Sequence, residues 1–408
     1  MRSAVRPPSN LSGVSHTSRR LALTLLAGML ALPLWTPAAT ATGAIETGPS
    51  AAAPTRQPVG GPLLAGRGVV VARGAPALPR DITGRGWLVA DMDTGAVLGA
   101  RDPHGRYLPA STLKTLTALT LLPKLTDHRR LVRASPDDCN IDGTRVGLVP
   151  TGRYPVEMLF QCMLMMSGND CAGALAEANG GVPQTVAEMN AVARRLQAGD
   201  THAATPSGLD GRGQSTSAYD LALILRQVLA VPDFRRYNTT RISSVPPQSS
   251  KYGRIQFAND NKLLYNYPGV LAAKNGYTDA ARHTFVAAVT RGNRRLLITL
   301  LHGEQRPIPI WQQVARLAEW GARVPASASV GQLVQPVDPD APAAEPAPTP
   351  TEVRPAGAGA SGSGEGRDRL PLVPIGLAAA GTVAAVGAFA WAVRHRPAPA
   401  RRSSGYRG

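Results

Sequence analysis

Ser111-Thr112-Leu113-Lys114 puts a hydroxyl and an amine three residues apart, at the head of an apolar run that continues to Leu122. If that run is helical, the two side chains share a face and can touch. A serine hydroxyl is a poor nucleophile until a base takes its proton. A lysine held against it, desolvated and with a lowered pKa, is such a base. The first turn of a helix also offers free N–H groups to developing negative charge. Two further polar clusters follow. Ser167-Gly168-Asn169 ends the apolar stretch Met158–Met166, and Lys274-Asn275-Gly276 follows Val270–Ala273. An S-x-x-K pattern alone arises by chance about once in a chain of this length. Three such clusters, in order along one stretch, make a candidate acyl-transfer site.

The elements that must position these groups can be read from pattern. Trp87–Ala90 and Ala96–Ala100 read as a hairpin around Asp93-Thr94-Gly95. Ser111–Leu125 reads as a helix, and so does Pro155–Met166, with Pro155 near its first turn. Asp170 is expected to cap a short helix that stops at Gly180-Gly181. Pro183–Leu196 repeats the helical pattern, and Ser217–Asp220 reads as a capping box for Leu221–Leu229. Val270–Lys274, Thr284–Thr290 and Leu296–His302 read as strands, the last two joined by a tight turn at Arg291–Asn293. Ile310–Ala322 reads as a closing helix. Strands at both ends with helices between predict an α+β fold, an antiparallel sheet flanked by helices plus a helical lobe that holds Ser167 and Asn169.

Residues 1–41 read as a secretory signal peptide: basic Arg19-Arg20, an apolar core at Leu21–Trp35, and small residues at Ala39-Thr40-Ala41. Residues 42–80 are expected to be a linker, 81–325 the catalytic domain, and 326–369 a Pro-, Ala- and Gly-rich linker. Leu370–Val393 holds no charged residue over a length that can cross a bilayer, and the tail 394–408 is basic. Basic residues stay cytoplasmic, so the body is expected outside a single-pass membrane anchor. The net charge is +17; segments 1–41 and 394–408 hold nine Arg and no acid, which leaves +8 for the rest. That excess suits an anionic wall matrix. Nothing in the chain resembles a nucleic-acid motif, so no nucleic-acid partner is expected.

S-x-x-K, then S-x-N, then K-[ST]-G is the motif order of penicillin-binding proteins and serine β-lactamases. The chain resembles a serine-type D-alanyl-D-alanine carboxypeptidase of the penicillin-binding-protein superfamily, similar to low-molecular-mass exported forms of high-GC Gram-positive bacteria. The resemblance rests on Pro109–Lys114, Ser167–Asp170, Thr205-Pro206-Ser207-Gly208-Leu209-Asp210, Lys274–Thr278 and Arg282–Val286. It implies a penicillin-binding/β-lactamase-like transpeptidase fold. It implies that Ser111 attacks the carbonyl between two D-alanines of a peptidoglycan stem peptide and that Lys114 takes its proton. Ser167 would relay a proton to the leaving amine, and Asn169 would position Lys114 and the substrate amide. Lys274 would pair with the terminal carboxylate, and Gly276 would let the substrate lie close. The N–H groups of Ser111 and Tyr277 would form the oxyanion hole. β-Lactam antibiotics would acylate the same serine.

Asn275 departs from the pattern, since an amide donates hydrogen bonds but cannot shuttle a proton as a hydroxyl does. Thr278, on the same strand, is the candidate to supply that hydroxyl. Two other readings stay open: a serine β-lactamase, and a weakly active penicillin-fold protein that binds wall peptides. Against the first, no Glu-x-x-Leu-Asn stretch lies between Asn169 and Lys274. The three cysteines permit one disulfide outside the cell, with Cys139–Cys171 the expected pair and Cys162 a buried thiol. No C-x-x-C or H-E-x-x-H pattern occurs, so no metal or other cofactor is expected.

Overall fold

Several strands read as continuous apolar runs because both faces of their sheet are covered. A computed structural model describes residues 58–249 and 251–337. Its strands, in chain order, are β1 Val69–Val71, β2 Gly86–Asp91, β3 Ala96–Arg101, β4 Leu131–Arg133, β5 Arg153–Pro155, β6 Ile242–Val245, β7 Ile255–Ala258, β8 Val270–Thr278, β9 Arg282–Arg291, β10 Arg294–Gly303 and β11 Gly331–Gln332. The main sheet runs β1-β3-β2-β10-β9-β8, with β11 also on β3. All its pairings are antiparallel. β8 is therefore an edge strand; on its outer side the Ala273 backbone is bonded to the Asn238 side chain and Asn275 O accepts from Lys274 Nζ.

The helices are α1 Lys114–Leu121, α2 Pro136–Asn140, α3 Val156–Met165, α4 Asn169–Ala178, α5 Val182–Arg195, α6 Ala218–Val228, α7 Pro232–Thr239, α8 Lys262–Asn266 and α9 Ile310–Arg323. α9 covers one face of the sheet. Its Gly321 lies so close to Val89 and Leu296 that a side chain there would collide with Val89, and Trp320 fills the space above Gly99. α6 covers the other face, where Thr299 Oγ1 donates to Ala218 O at 2.8 Å. Every residue of α1 is buried. That helix is the axis of the helical lobe, packed against α3, α4, α5 and α6.

Several expectations change. The helix expected from Ser111 begins as a 3-10 turn, Ala110–Leu113, and becomes α-helical only at Lys114. Asp170 is not the N-cap of α4, which is Gly168; its carboxylate mainly holds a loop, accepting from the N–H groups of Val146, Gly147 and Leu148, and also accepts from Cys171 N. The expected linker 42–80 is folded from residue 58 onward. β1 pairs with β3, Leu64 is buried, and Trp320 Nε1 donates to Pro76 O. Residues 326–337 are folded as well, through β11 and the buried Val330 and Leu333. Small apolar residues among Gly and Pro lack a period, yet each covers an end of the sheet. The expected signal peptide, the rest of both expected linkers, the expected span 370–393 and the tail 394–408 lie outside the described residues. Among the described residues, no helix is long and apolar enough to cross a membrane.

The three cysteines are free and buried, so the expected Cys139–Cys171 bond is not formed. α2 turns Asp138, not Cys139, toward Gly173 on α4. Burial raises the Cys171 thiol well above its usual range, with neighbouring Cys162 adding to it. Cys162 Sγ lies 3.1 Å from Met158 Sδ.

Candidate active site

Two unusual backbone positions hold the walls of the site. Ala110 has φ +46° and Ser167 has φ +64°, a region that costs non-glycine residues energy and that clusters at functional sites. Ala110 bends the chain so that the 3-10 turn carrying Ser111 lies against β8. Thr284 Oγ1, on β9, donates to Pro109 O at 2.8 Å and fastens that turn to the sheet. Gly276 makes the approach possible. A Cβ there would sit 2.5 Å from Thr284 Oγ1 and 2.7 Å from the Ser111 nitrogen.

Lys114 Nζ lies 2.9 Å from Ser111 Oγ, within hydrogen-bond distance, and donates to Asn169 Oδ1 at 2.8 Å and to the Ser207 carbonyl. Lys114 is fully buried. Burial lowers its pKa well below the lysine range, and the Lys274 charge lowers it further. Asn169 opens α4, and its Nδ2 donates to Asp142 O at 2.7 Å, which fixes Oδ1 toward the lysine. A neutral lysine has two N–H donors and one lone pair. Asn169 Oδ1 and the Ser207 carbonyl accept the two donors, and the lone pair is left facing the Ser111 hydroxyl. The surroundings therefore suit the basic form of Lys114.

The third cluster is placed less simply. Lys274 is buried, burial lowers its pKa, and its Nζ donates to Asn275 O at 2.7 Å. Ser167 Oγ and Asn275 Oδ1 are buried without a hydrogen-bond partner. Ser167 thus makes no side-chain hydrogen bond to Lys114, whose partner in this segment is Asn169. Tyr277 is exposed at the cleft and donates to Asp279. Thr278 does not stand in for a hydroxyl at position 275. Its Oγ1 donates to Asp210 Oδ1 at 3.0 Å and accepts from Ala281 N at 3.0 Å.

A cleft of about 730 Å³ is lined by Ser111, Asn169, Tyr277 and Thr278 together with Asp142 and Asp210, and not by Ser167, Lys274 or Asn275. One wall was not legible as chemistry. The segment Thr205–Asp210 delivers the Ser207 carbonyl to Lys114 and the Pro206 carbonyl to Thr117 Oγ1. Gly208, at φ +84°, lies so close to Ala110 that a Cβ would be 2.0 Å from the Ala110 oxygen. A backbone carbonyl carries no residue identity, so the sequence marks Thr205–Asp210 only through the family resemblance and assigns it no role. Away from the cleft, among the described residues, His104, Asp200 and Asp220 bring ligand-type atoms within 4.8 Å of one another. Both His104 nitrogens are already engaged, with Asp200 and with Val59 O.

Residues 72–305 match the model of the family Peptidase S11, described as D-alanyl-D-alanine carboxypeptidase. The chain is 42% identical over 251 residues to the D-alanyl-D-alanine carboxypeptidase DacB2 of Mycobacterium tuberculosis, covering 60% of this chain and 85% of that protein. It is 28% identical to the D-alanyl-D-alanine carboxypeptidase DacF of Bacillus subtilis, covering 57% of this chain and 60% of that one. A crystal structure of a D-alanyl-D-alanine carboxypeptidase from M. tuberculosis superposes with a TM-score of 0.61 at 40% identity, over 64% of this chain and 99% of that chain. A mutant of a Streptomyces DD-transpeptidase shares the fold, with a TM-score of 0.56 at 21% identity, over 60% of this chain and 99% of that one.

Proposed function

The chain belongs to the Peptidase S11 family of D-alanyl-D-alanine carboxypeptidases, serine-type DD-peptidases, and from that premise we propose that it removes the terminal D-alanine of peptidoglycan stem peptides through an acyl-enzyme on Ser111. The observation that carries this reading is the Lys114 amine, fully buried, 2.9 Å from Ser111 Oγ and with acceptors for the two N–H donors of its neutral form.

The steps follow from those contacts. Neutral Lys114 takes the Ser111 proton as Oγ bonds to the carbonyl carbon of the penultimate D-alanine. The N–H groups of Ser111 and Tyr277 hold the oxyanion. The C–N bond breaks, and the proton passes from Lys114, by way of Ser167, to the departing amine. The unpartnered Ser167 Oγ is available for that relay. Asn169 positions Lys114 and the substrate amide, and Lys274 pairs with the terminal carboxylate. Asn275 stands where the family's pattern has a hydroxyl that donates to that carboxylate. Water then adds to the acyl carbon and returns the proton to Ser111 Oγ. β-Lactam antibiotics enter by the first step and stall at the second.

The domain works outside the cell. Residues 1–41 direct export, Leu370–Val393 anchors the chain in the membrane, and the tail 394–408 stays cytoplasmic. Incubation with a D-Ala-D-Ala peptide beside labelling with a fluorescent penicillin tests the reading. D-Alanine release together with a stable label on Ser111 is the expected result. Rapid loss of the label would show a β-lactamase instead, and a label without any D-alanine release would show a binding protein.

A further inference from the structure

Lys114 is held from two kinds of structure. Ser111 and Asn169 stand on helical turns, whereas Ser207 lies in the connection between α5 and α6. Connections are ordinarily the more mobile parts of a fold. Here a shift of the Ser207 carbonyl would leave one N–H of neutral Lys114 without its acceptor, and the lone pair would no longer be held toward Ser111. Something must fix this carbonyl.

The two stems of the connection are fastened on their own. His202 and Ser215 exchange backbone hydrogen bonds of 2.9 and 3.0 Å. Asp220 on α6 accepts from Asp200 N and from Thr201 Oγ1, each at 2.8 Å. The tip is fastened separately, by Gln214. This side chain is 5% exposed and lines no part of the cleft. Its Oε1 accepts from Ala204 N at 3.2 Å and from Thr205 N at 3.1 Å, and its Nε2 donates to Leu209 O at 2.6 Å. One carboxamide therefore joins the residues on either side of Ser207. Its orientation is set, because the reversed amide would point Nε2 at two N–H groups. Thr205 Oγ1 closes the inside of the turn by accepting from Gly208 N at 3.1 Å. The turn has no slack, since Gly208 lies against the Ala110 backbone.

We infer that Gln214 is a positioning residue of the acylation step: its carboxamide holds the 205–209 turn so that the Ser207 carbonyl meets Lys114 and the lysine's lone pair stays on Ser111. It touches neither the cleft nor the reacting atoms, so it acts only through Ser207. The inference deepens the acyl-enzyme reading and rests on it. A small misplacement of a catalytic group costs about ten- to a hundredfold in rate.

The test follows acylation of the full chain by benzylpenicillin, with a thermal melt of each variant. Gln214→Ala should lower the rate at saturating penicillin by about ten- to a hundredfold and leave the half-saturating concentration close to the parent's. Gln214→Glu is the sharper variant. A protonated carboxyl can accept from Ala204 N and Thr205 N and donate to Leu209 O as the amide does, whereas a carboxylate sets two acceptors against each other. Burial holds such a carboxyl above the usual pKa of about 4.3. The ratio of the Gln214→Glu rate to the parent rate should therefore fall about tenfold or more from pH 5 to pH 8. The titratable groups near Gln214 along its segment, Asp210, Arg212 and, beside Gly213, His202, are present in both proteins and cancel in the ratio. A carboxylate that acted only by its charge on Lys114 would raise the lysine pKa and depress the ratio most at low pH, the opposite trend. A folded Gln214→Ala that acylates as fast as the parent would overturn the inference and leave the acyl-enzyme reading standing. A Gln214→Glu ratio that is flat or rises with pH would do the same. Loss of folding in both variants would show a purely structural group and overturn it as well. A parent chain that penicillin does not acylate would overturn the acyl-enzyme reading, and this inference with it.

Discussion

Asn275→Thr changes the one motif position at which this chain departs from its family's pattern. Two effects follow from the geometry. Asn275 Oδ1 is a buried acceptor without a partner, and such a group costs about 1–3 kcal/mol. Removing it should stabilise the domain, and about 1 kcal/mol would raise Tm by roughly 2–4 °C. The second effect is on turnover. A hydroxyl beside Lys274 adds a hydrogen bond to a charged carboxylate, about 1.5–3 kcal/mol, or about ten- to a hundredfold in kcat/KM. Thr278 cannot already supply this bond, because its hydroxyl is held between Asp210 and Ala281 N. Thr278→Val should therefore act only through the Asp210 loop and cost less than tenfold. The assay is D-alanine release from a D-Ala-D-Ala peptide, with a thermal melt of each variant. The reasoning is refuted if Asn275→Thr loses most of the activity, since the amide would then have its own role. It is refuted equally if Thr278→Val abolishes turnover.

Lys114→Ala should leave Ser111 without a base and slow penicillin acylation by several orders of magnitude; a loss below tenfold would point to another base. In the parent, acylation needs neutral Lys114, so the rate rises with pH through a pKa that burial and Lys274 hold well below the lysine range. Lys274→Gln removes a cation, raises that pKa, and should move the acid limb of the rate profile to higher pH. His104 offers a stability test. Burial pulls its pKa down, but the Asp200 hydrogen bond and charge outweigh this and leave it raised. A raised histidine pKa contributes stability in full below about pH 6.5, and that contribution is lost as pH rises through the folded value. The Tm gap between parent and His104→Gln should accordingly narrow from pH 6 to pH 8, and a gap that widens would contradict the assignment. Finally, a chain of residues 58–337 should be soluble and label with penicillin, whereas 81–325 should melt lower. The shorter chain lacks β1, β11 and the buried Leu64 and Leu333; burying one leucine is worth about 1.5–3 kcal/mol. Equal melting would show that the flanking strands do not matter.

The contact of Ser111 with Lys114 was legible because the two side chains stand three residues apart, and that of Asn169 with Lys114 followed from the family resemblance. The strands β8, β9 and β10 were legible from their apolar runs, and the pairing of β9 with β10 from the tight turn that joins them. Three things were not. The 3-10 start at Ser111 depends on the positive φ of Ala110, which no alanine announces. The Ser207 carbonyl is backbone. The terminal strands β1 and β11 are short and sit among Gly and Pro, so pattern alone reads them as linker, whereas tertiary packing on β3 makes them strands. The Cys139–Cys171 expectation failed because spacing says nothing of which residue of a short helix faces its neighbour.

The acyl-enzyme on Ser111 is tested most directly by mass spectrometry of the chain after brief exposure to benzylpenicillin, in parallel with Ser111→Ala. One penicilloyl adduct per chain is expected, on the peptide that contains Ser111, with none on the folded Ser111→Ala variant. An adduct that persists in Ser111→Ala, or that maps to another residue, would contradict the account.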